Sequence, residues 1–227
     1  MYKRQEIDNP YAYYQYAQAL YKAGNISQAV DEFRNLQQRF PDSDYADESL
    51  FTVAWIHFQQ AEYDEAVSAY RNVLSVYPQS PLAPMVYYSI GDAYFNSGNY
   101  KSAIENYQIV MADYPNSNYV FDAVNGIQYS YVAQGDHIKA VSFIDQFVSR
   151  NPGLSFSDQI FFKKGEIYYS ARNYEAAKVS YQEFISDYPK SKLIPEAYYW
   201  IGKSAQNLNA NEEAIHNFNI VFESYPN

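Results

Sequence analysis

Apolar positions along the chain recur at spacings of three and four residues, in short stretches that stop and start again. Tyr87, Ile90, Gly91 and Tyr94 make one stretch, and Ile104, Tyr107, Val110 and Met111 the next. Each describes one face of a helix, so two helices follow one another. Between them lies Asn96-Ser97-Gly98-Asn99, where a glycine can take the positive φ that ends a helix and turns the chain. The second stretch stops at Tyr114-Pro115, because proline has no amide hydrogen and pushes the residue before it out of the α region. Asn116-Ser117 then supplies a turn. The pattern predicts a helix hairpin.

The hairpin repeats. Pro41, Pro78, Pro115, Pro152, Pro189 and Pro226 are 37 residues apart, as are Ala29, Ala66, Ala103, Ala140, Ala177 and Ala214. A fixed period of this size marks an array in which each unit buries its apolar face only against its neighbours. First helices are expected near 10–23, 47–60, 84–97, 121–134, 158–171 and 195–208, and second helices near 27–39, 64–76, 101–113, 138–150, 175–187 and 212–224. The units are 10–45, 46–82, 83–119, 120–156, 157–193 and 194–227, after an N-terminal segment 1–9, and no domain boundary is expected inside the array. A coiled coil is excluded, since heptads are not sustained and the proline stops would break them. Tyr2-Lys3-Arg4-Gln5 resembles the translation of a transposon adapter end, so residues 1–5 are set aside as a sequencing scar.

Gly91-x-x-Tyr94, Gly98-x-Tyr100-x-x-Ala103, Tyr107 and Pro115 stand at the spacings of the tetratricopeptide-repeat (TPR) signature. The resemblance implies an all-α fold, a right-handed α-solenoid of six helix-turn-helix TPR hairpins. The period exceeds the usual 34 or so, the extra residues falling after the proline, as in Tyr188-Pro189-Lys190-Ser191. That long form is similar to bacterial cell-envelope TPR proteins: the Tol-Pal system coordinator and the lipoprotein of the outer-membrane β-barrel assembly machine. A periplasmic or outer-membrane-associated place follows from this resemblance. Ala17, Ala54, Gly91, Gly165 and Gly202 on the first helices are expected to face Ala29, Ala66, Ala103, Ala177 and Ala214 on the second, so that backbones approach closely.

In TPR proteins the first helices line a concave face. Carried over, this gives one column of Tyr14, Phe51, Tyr88, Asn125, Phe162 and Tyr199, and a second of Tyr21, Phe58, Phe95, Val132, Tyr169 and Gln206. Between them lie Gln18, Trp55, Asp92, Tyr129, Glu166 and Lys203, with Glu48, Asp122 and Glu196 adding acid in the first turns. The groove expected is aromatic and mildly acidic, suited to an extended or helical partner segment with proline-rich or basic-aliphatic anchors. The bland alternative is that these rings pack against the next repeat. Carboxylate-clamp recognition of acidic tails is a poor fit, because Lys22 and Lys203 are isolated.

Composition narrows the remaining chemistry. Aromatic residues reach 19% and tyrosine supplies 27 positions, which the repeat explains. A formal charge of −10 with no Lys/Arg cluster argues against nucleic acid. Cysteine is absent, removing disulfides and thiol chemistry. His57, His137 and His216 share no helix face, so no metal is expected. No Walker loop, G-x-S-x-G or dinucleotide fingerprint occurs, so neither catalysis nor a cofactor is expected. No stretch of about 18 apolar residues suggests membrane insertion, and the start lacks a signal-peptide core. Both ends are expected to be cut, with a leader, lipid anchor or further domain elsewhere. Unit four departs most from the pattern, through Gln128, His137, Ile144 and Asn151-Pro152-Gly153, and Lys164 takes a normally apolar position. The leading expectation is a non-catalytic protein-binding scaffold. A carbohydrate- or cell-wall-binding module and an accessory array of a larger enzyme are the alternatives.

Overall fold

The computed structural model describes residues 9–225, and the helices among them are α1 (Pro10–Lys22), α2 (Ile26–Arg39), α3 (Ala46–Gln59), α4 (Tyr63–Val76), α5 (Ala83–Asn96), α6 (Tyr100–Asp113), α7 (Val120–Ala133), α8 (His137–Arg150), α9 (Ser157–Ser170), α10 (Tyr174–Asp187), α11 (Ile194–Asn207) and α12 (Asn211–Ser224). The fold is all-α. Each predicted helix is present with ends within one residue of expectation. The suspected scar at 1–5 and the last proline stop, Pro226, lie outside the described residues.

The turns follow from backbone chemistry. Gly24, Gly98 and Gly135 take φ of 81°, 80° and 77°, and Ala61, Arg172 and Asn209 take 59°, 58° and 61° at the same repeat position. Each left-handed residue lets the next amide reach back to the fifth residue before it, as Asn99 N–H does to Tyr94 C=O at 2.8 Å and Asn173 N–H to Tyr168 C=O at 2.9 Å. Second helices then start on a side-chain cap where the sequence allows one. Asn99, Asp136 and Asn173 accept from the amides of Ser102, Lys139 and Ala176. The second helices stop at the Tyr-Pro and related steps, as at Tyr77, Tyr114 and Tyr188.

Packing divides the chain into two compact units, Met1–Gly126 and Ile127–Asn227. The even 37-residue period does not announce this division, which falls inside α7, in the hairpin that departs most from the pattern. In the first unit, Tyr14, Phe33, Leu36, Val53 and Ile56 form one core and Leu50, Tyr70, Val73, Val86 and Ile90 another. In the second, Phe161, Phe162, Tyr181, Phe184, Ala197 and Ile201 cluster. Each cluster joins a hairpin to the first helix of the next, and each fully buried ring contributes about 2–3 kcal/mol of transfer free energy. Ser80 Oγ donates to Asp47 Oδ2 at 2.5 Å, and Ser191 Oγ to Asp158 Oδ2 at 2.6 Å, pinning the loops after Pro78 and Pro189 to the preceding first helix.

The small positions make room for a ring. The nearest neighbour of Gly91 is the Tyr107 ring, where an added Cβ would meet Cε1 at 2.5 Å; Gly165 stands in the same way against Tyr181 and Gly202 against Phe218. Close approach therefore serves the second-helix ring four residues beyond the alanine. Tyr107 is hemmed in twice, since a Cβ on Gly126 would lie 2.5 Å from its Cζ.

Candidate functional site

The first predicted column is tied to the second helices by one repeated ring contact. Tyr14–Phe33, Phe51–Tyr70, Tyr88–Tyr107, Phe162–Tyr181 and Tyr199–Phe218 have centroids 5.6, 5.2, 5.7, 5.0 and 5.9 Å apart. This contact sinks Tyr14 and Phe162 to 5% and 3% exposure, so both sit inside the hairpin packing and present almost no surface. Phe51 and Tyr88 are half-buried, and Tyr199 is 43% exposed. In the second column Phe58, Phe95 and Tyr169 each pack against the first residue of their own second helix, Tyr63, Tyr100 and Tyr174. Tyr129, between the columns, is exposed.

In the first unit the structure brings Phe51, Trp55, Phe58, Tyr88 and Asp92 together around a cavity of about 300 Å³ between α3 and α5. Four further walls were not read from the sequence: Tyr70 from α4, Met85 and Ser89 from α5, and Tyr119 from the loop before α7. The period would have found Tyr70, which holds the register of Tyr107; Tyr119 follows from its ring contact with Tyr88, 5.6 Å away. Larger, shallower clefts of about 600, 500 and 400 Å³ lie along the proline loops. They recur at the Pro41/Pro78, Pro78/Pro115 and Pro152/Pro189 loop pairs, as by-products of the repeat.

Asp92 is the chemical feature of the pocket. The Tyr107 hydroxyl donates to its Oδ1 at 2.7 Å. Burial raises the Asp92 carboxyl above its ordinary value; the Tyr107 and Tyr88 hydroxyls pull it back, and the Asp122 charge adds to the rise. The neighbouring phenols respond in kind. Tyr70 is pushed up to about 12, chiefly by burial, and Tyr88 and Tyr107 rise further through burial and the Asp92 charge. The pocket thus pairs an aromatic wall with a carboxylate whose charge is poorly solvated.

The same register two repeats on is arranged differently. Glu166 stands where Asp92 does, Tyr129 where Trp55 does and Lys163 where Ser89 does. Lys163 Nζ lies 2.8 Å from Glu166 Oε2, with the side chain 27% exposed. Burial lowers its pKa, but the Glu166 bond and charge, together with the Tyr129 and Glu196 groups, outweigh this and raise it. Tyr181, the counterpart of Tyr107, keeps a buried hydroxyl with no hydrogen-bond partner among the described residues. Next to this arrangement, Lys164 reaches past the apolar packing to Asp145 and Glu183, each at 3.1 Å. In unit four, Gln128 is buried with Nε2 unpaired among the described residues, and Ile144 replaces the ring at the Tyr107 register.

No group of three or more His, Cys, Asp or Glu side chains among the described residues is placed to hold a metal, and no helix there is long and apolar enough to cross a membrane.

No curated protein is significantly similar in sequence. Among solved structures, the C-terminal part of a TPR repeat-containing protein from Cytophaga hutchinsonii superposes with a TM-score of 0.63 at 17% identity, covering 92% of this chain and 78% of that one. A TPR protein from Parabacteroides merdae gives 0.57 at 14% identity, covering 94% and 78%. PilF from Pseudomonas aeruginosa gives 0.54 at 16% identity, covering 96% and 92%. At such identities the likeness concerns the fold, which is that of TPR proteins. The family YfiO, outer membrane lipoprotein, matches residues 7–96 and 83–227, and with nearly the whole sequence matched, the chain belongs to the YfiO outer membrane lipoprotein family.

Proposed function

We propose that this protein is a non-catalytic interaction scaffold of the bacterial cell envelope, and that the aromatic groove of its first unit holds a segment of a protein partner. The family supports the envelope setting and the scaffold role. The observation that carries the groove assignment is the pocket between α3 and α5. Rings there line open space, and Phe51, Trp55, Phe58 and Tyr88 retain partial exposure. Half-buried aromatic side chains offer large, stiff contact area at low entropic cost, and such residues anchor protein interfaces. Tyr129, Tyr169 and Tyr199 of the second unit extend the candidate surface there, joined by Glu166; Phe95 does so in the first.

The test is site-specific photo-crosslinking in envelope preparations. A benzophenone side chain at Met85, which lines the pocket, is compared with one at Ile138, an exposed residue on α8. A discrete protein adduct from Met85 that is missing from Ile138 is the expected result. The same adducts from both positions, or none from Met85, would sink the groove assignment.

A further inference from the structure

We propose that the pocket between α3 and α5 is a receptor for the side-chain ammonium of a lysine on the protein partner, with Asp92 as its counter-ion and Trp55 and Tyr88 as walls. This rests on the groove reading above and specifies the chemistry of its anchor.

Asp92 is the starting point. Among the described residues that line the cavity it is the one that carries charge, and no basic side chain shares the space. A carboxylate has about four acceptor sites. The Tyr107 hydroxyl fills one of them and the Tyr88 hydroxyl bears on the same carboxylate, but neutral phenols supply no counter-charge. A poorly solvated carboxylate gains most from a cation that brings donors and charge together. The walls are right for one. Indole and phenol rings attract an ammonium through their quadrupoles, and Phe51, Phe58 and Met85 are apolar partners for a tetramethylene stem. The chain's formal charge of −10 favours approach of basic segments.

The repeat itself then shows which group fits. Two periods further on, Lys163 occupies the Ser89 register and places its ammonium 2.8 Å from Glu166, the counterpart of Asp92. There the chain supplies the alkylammonium. In the α3–α5 pocket the short Ser89 leaves that place open for a side chain from outside. An arginine would meet the same counter-ion, but the occupant seen in the homologous place is a lysine, and a single compact charge suits a single carboxylate.

The chain has two tryptophans, Trp55 in the pocket and Trp200 on α11, so fluorotryptophan labelling gives two 19F resonances, assigned with Trp200→Phe. The full chain is titrated with Nα-acetyl-lysine methylamide and with the uncharged analogue that lacks the ammonium, Nα-acetyl-norleucine methylamide. The Trp55 resonance should move saturably with the lysine probe while Trp200 stays, and the norleucine probe should bind about tenfold more weakly. Asp92→Asn, whose amide oxygen can still accept from Tyr107, should bring the lysine probe down to the norleucine level. Ser89→Lys should abolish the response by seating an internal ammonium three residues before Asp92, with its melt unchanged or raised. Equal response to both probes overturns the ammonium assignment while leaving an apolar groove intact, so the Met85 crosslinking result stands independently. An undiminished lysine response in Asp92→Asn, or no movement of Trp55 up to about 50 mM probe, where even a very weak single-anchor site would register, overturns it as well.

Discussion

Gly91→Ala probes the packing that holds the pocket carboxylate in place. The new methyl would lie 2.5 Å from Cε1 and 2.6 Å from Cδ1 of Tyr107, where carbon pairs settle at about 3.5–4.0 Å. The ring must retreat by about 1 Å, and Gly126 blocks its other side, since a Cβ there would also come within 2.5 Å. Overpacking of this kind costs about 1–3 kcal/mol. Moving the ring also strains the Tyr107–Asp92 hydrogen bond, of a class contributing about 1.5–3 kcal/mol. Against this, replacing a helix-interior glycine by alanine gains about 1 kcal/mol. The fold can house the methyl where the ring is placed for it, because Ala54 holds the equivalent position beside Tyr70, so the net loss should fall near 1–2 kcal/mol. For a chain of this size that lowers the melting temperature by roughly 3–6 °C. Circular dichroism melts and urea titrations of Gly91→Ala, Tyr107→Leu and the double variant measure it, and the double variant should recover about 0.5–1 kcal/mol relative to the sum of the two. A single variant that melts at or above the parent, or strict additivity in the cycle, refutes the two-sided confinement of the ring.

Three further outcomes are expected. Burial raises the Tyr70 hydroxyl to about 12 and lifts those of Tyr88, Tyr107 and Tyr181 as well. Above the ordinary tyrosine range of about 10 the unfolded chain therefore releases protons that the folded chain keeps, and stability is lost as pH rises from there; absorbance titration should show these phenols ionising together with loss of helix, whereas gradual ionisation of a still-helical chain would contradict it. Arg172→Gly relieves a left-handed conformation at φ 58°, and after allowing for the looser unfolded chain it should stabilise by about 0.5–1 kcal/mol in urea titrations, a reading that fails if stability drops. Gln128→Met keeps the side-chain volume while removing a buried amide nitrogen left unpaired among the described residues, so a stability gain of about 1 kcal/mol is expected in the same assay, and a loss would mean the amide has a partner.

The architecture was legible because its causes are local and periodic. Pro115 ends α6 and Gly98 turns the chain through residue types that have few alternatives, and the 37-residue step repeats both. Boundaries differed by a residue, as at α6, which begins at Tyr100, one residue earlier than the apolar pattern suggests, with the Asn99 side chain as its cap. The candidate site was only half legible. Register alone cannot tell a ring that opens into a groove from one that closes on its own hairpin. Phe51 and Phe162 share a column, yet Phe162 is wedged between Tyr181 and Phe184, with ring centroids 5.0 and 5.1 Å away, while Phe51 lines open space. Tyr119 belongs to a loop, which carries no helical register, and only the 37-residue step that sets it with Tyr45 and Phe156 could have pointed to it. Lys163 could have been read, since it stands three residues before Glu166 and so on the same helix face, but its meaning emerges only when the two repeats are laid over one another.

The ammonium of Lys163, already seated on Glu166, also bears on which anchors each hairpin admits. Repeating a unit repeats its shape, and identical hairpins would accept identical anchors and leave a partner free to slip by one period. A station that carries its own cation repels another one, so like-charge exclusion there separates the two hairpins as surely as attraction does at Asp92. The two copies differ at several wall positions, but serine in one and lysine in the other is the exchange that changes the charge. Discrimination in such an array is written as much in the places a repeat has closed to visitors as in those it has left open.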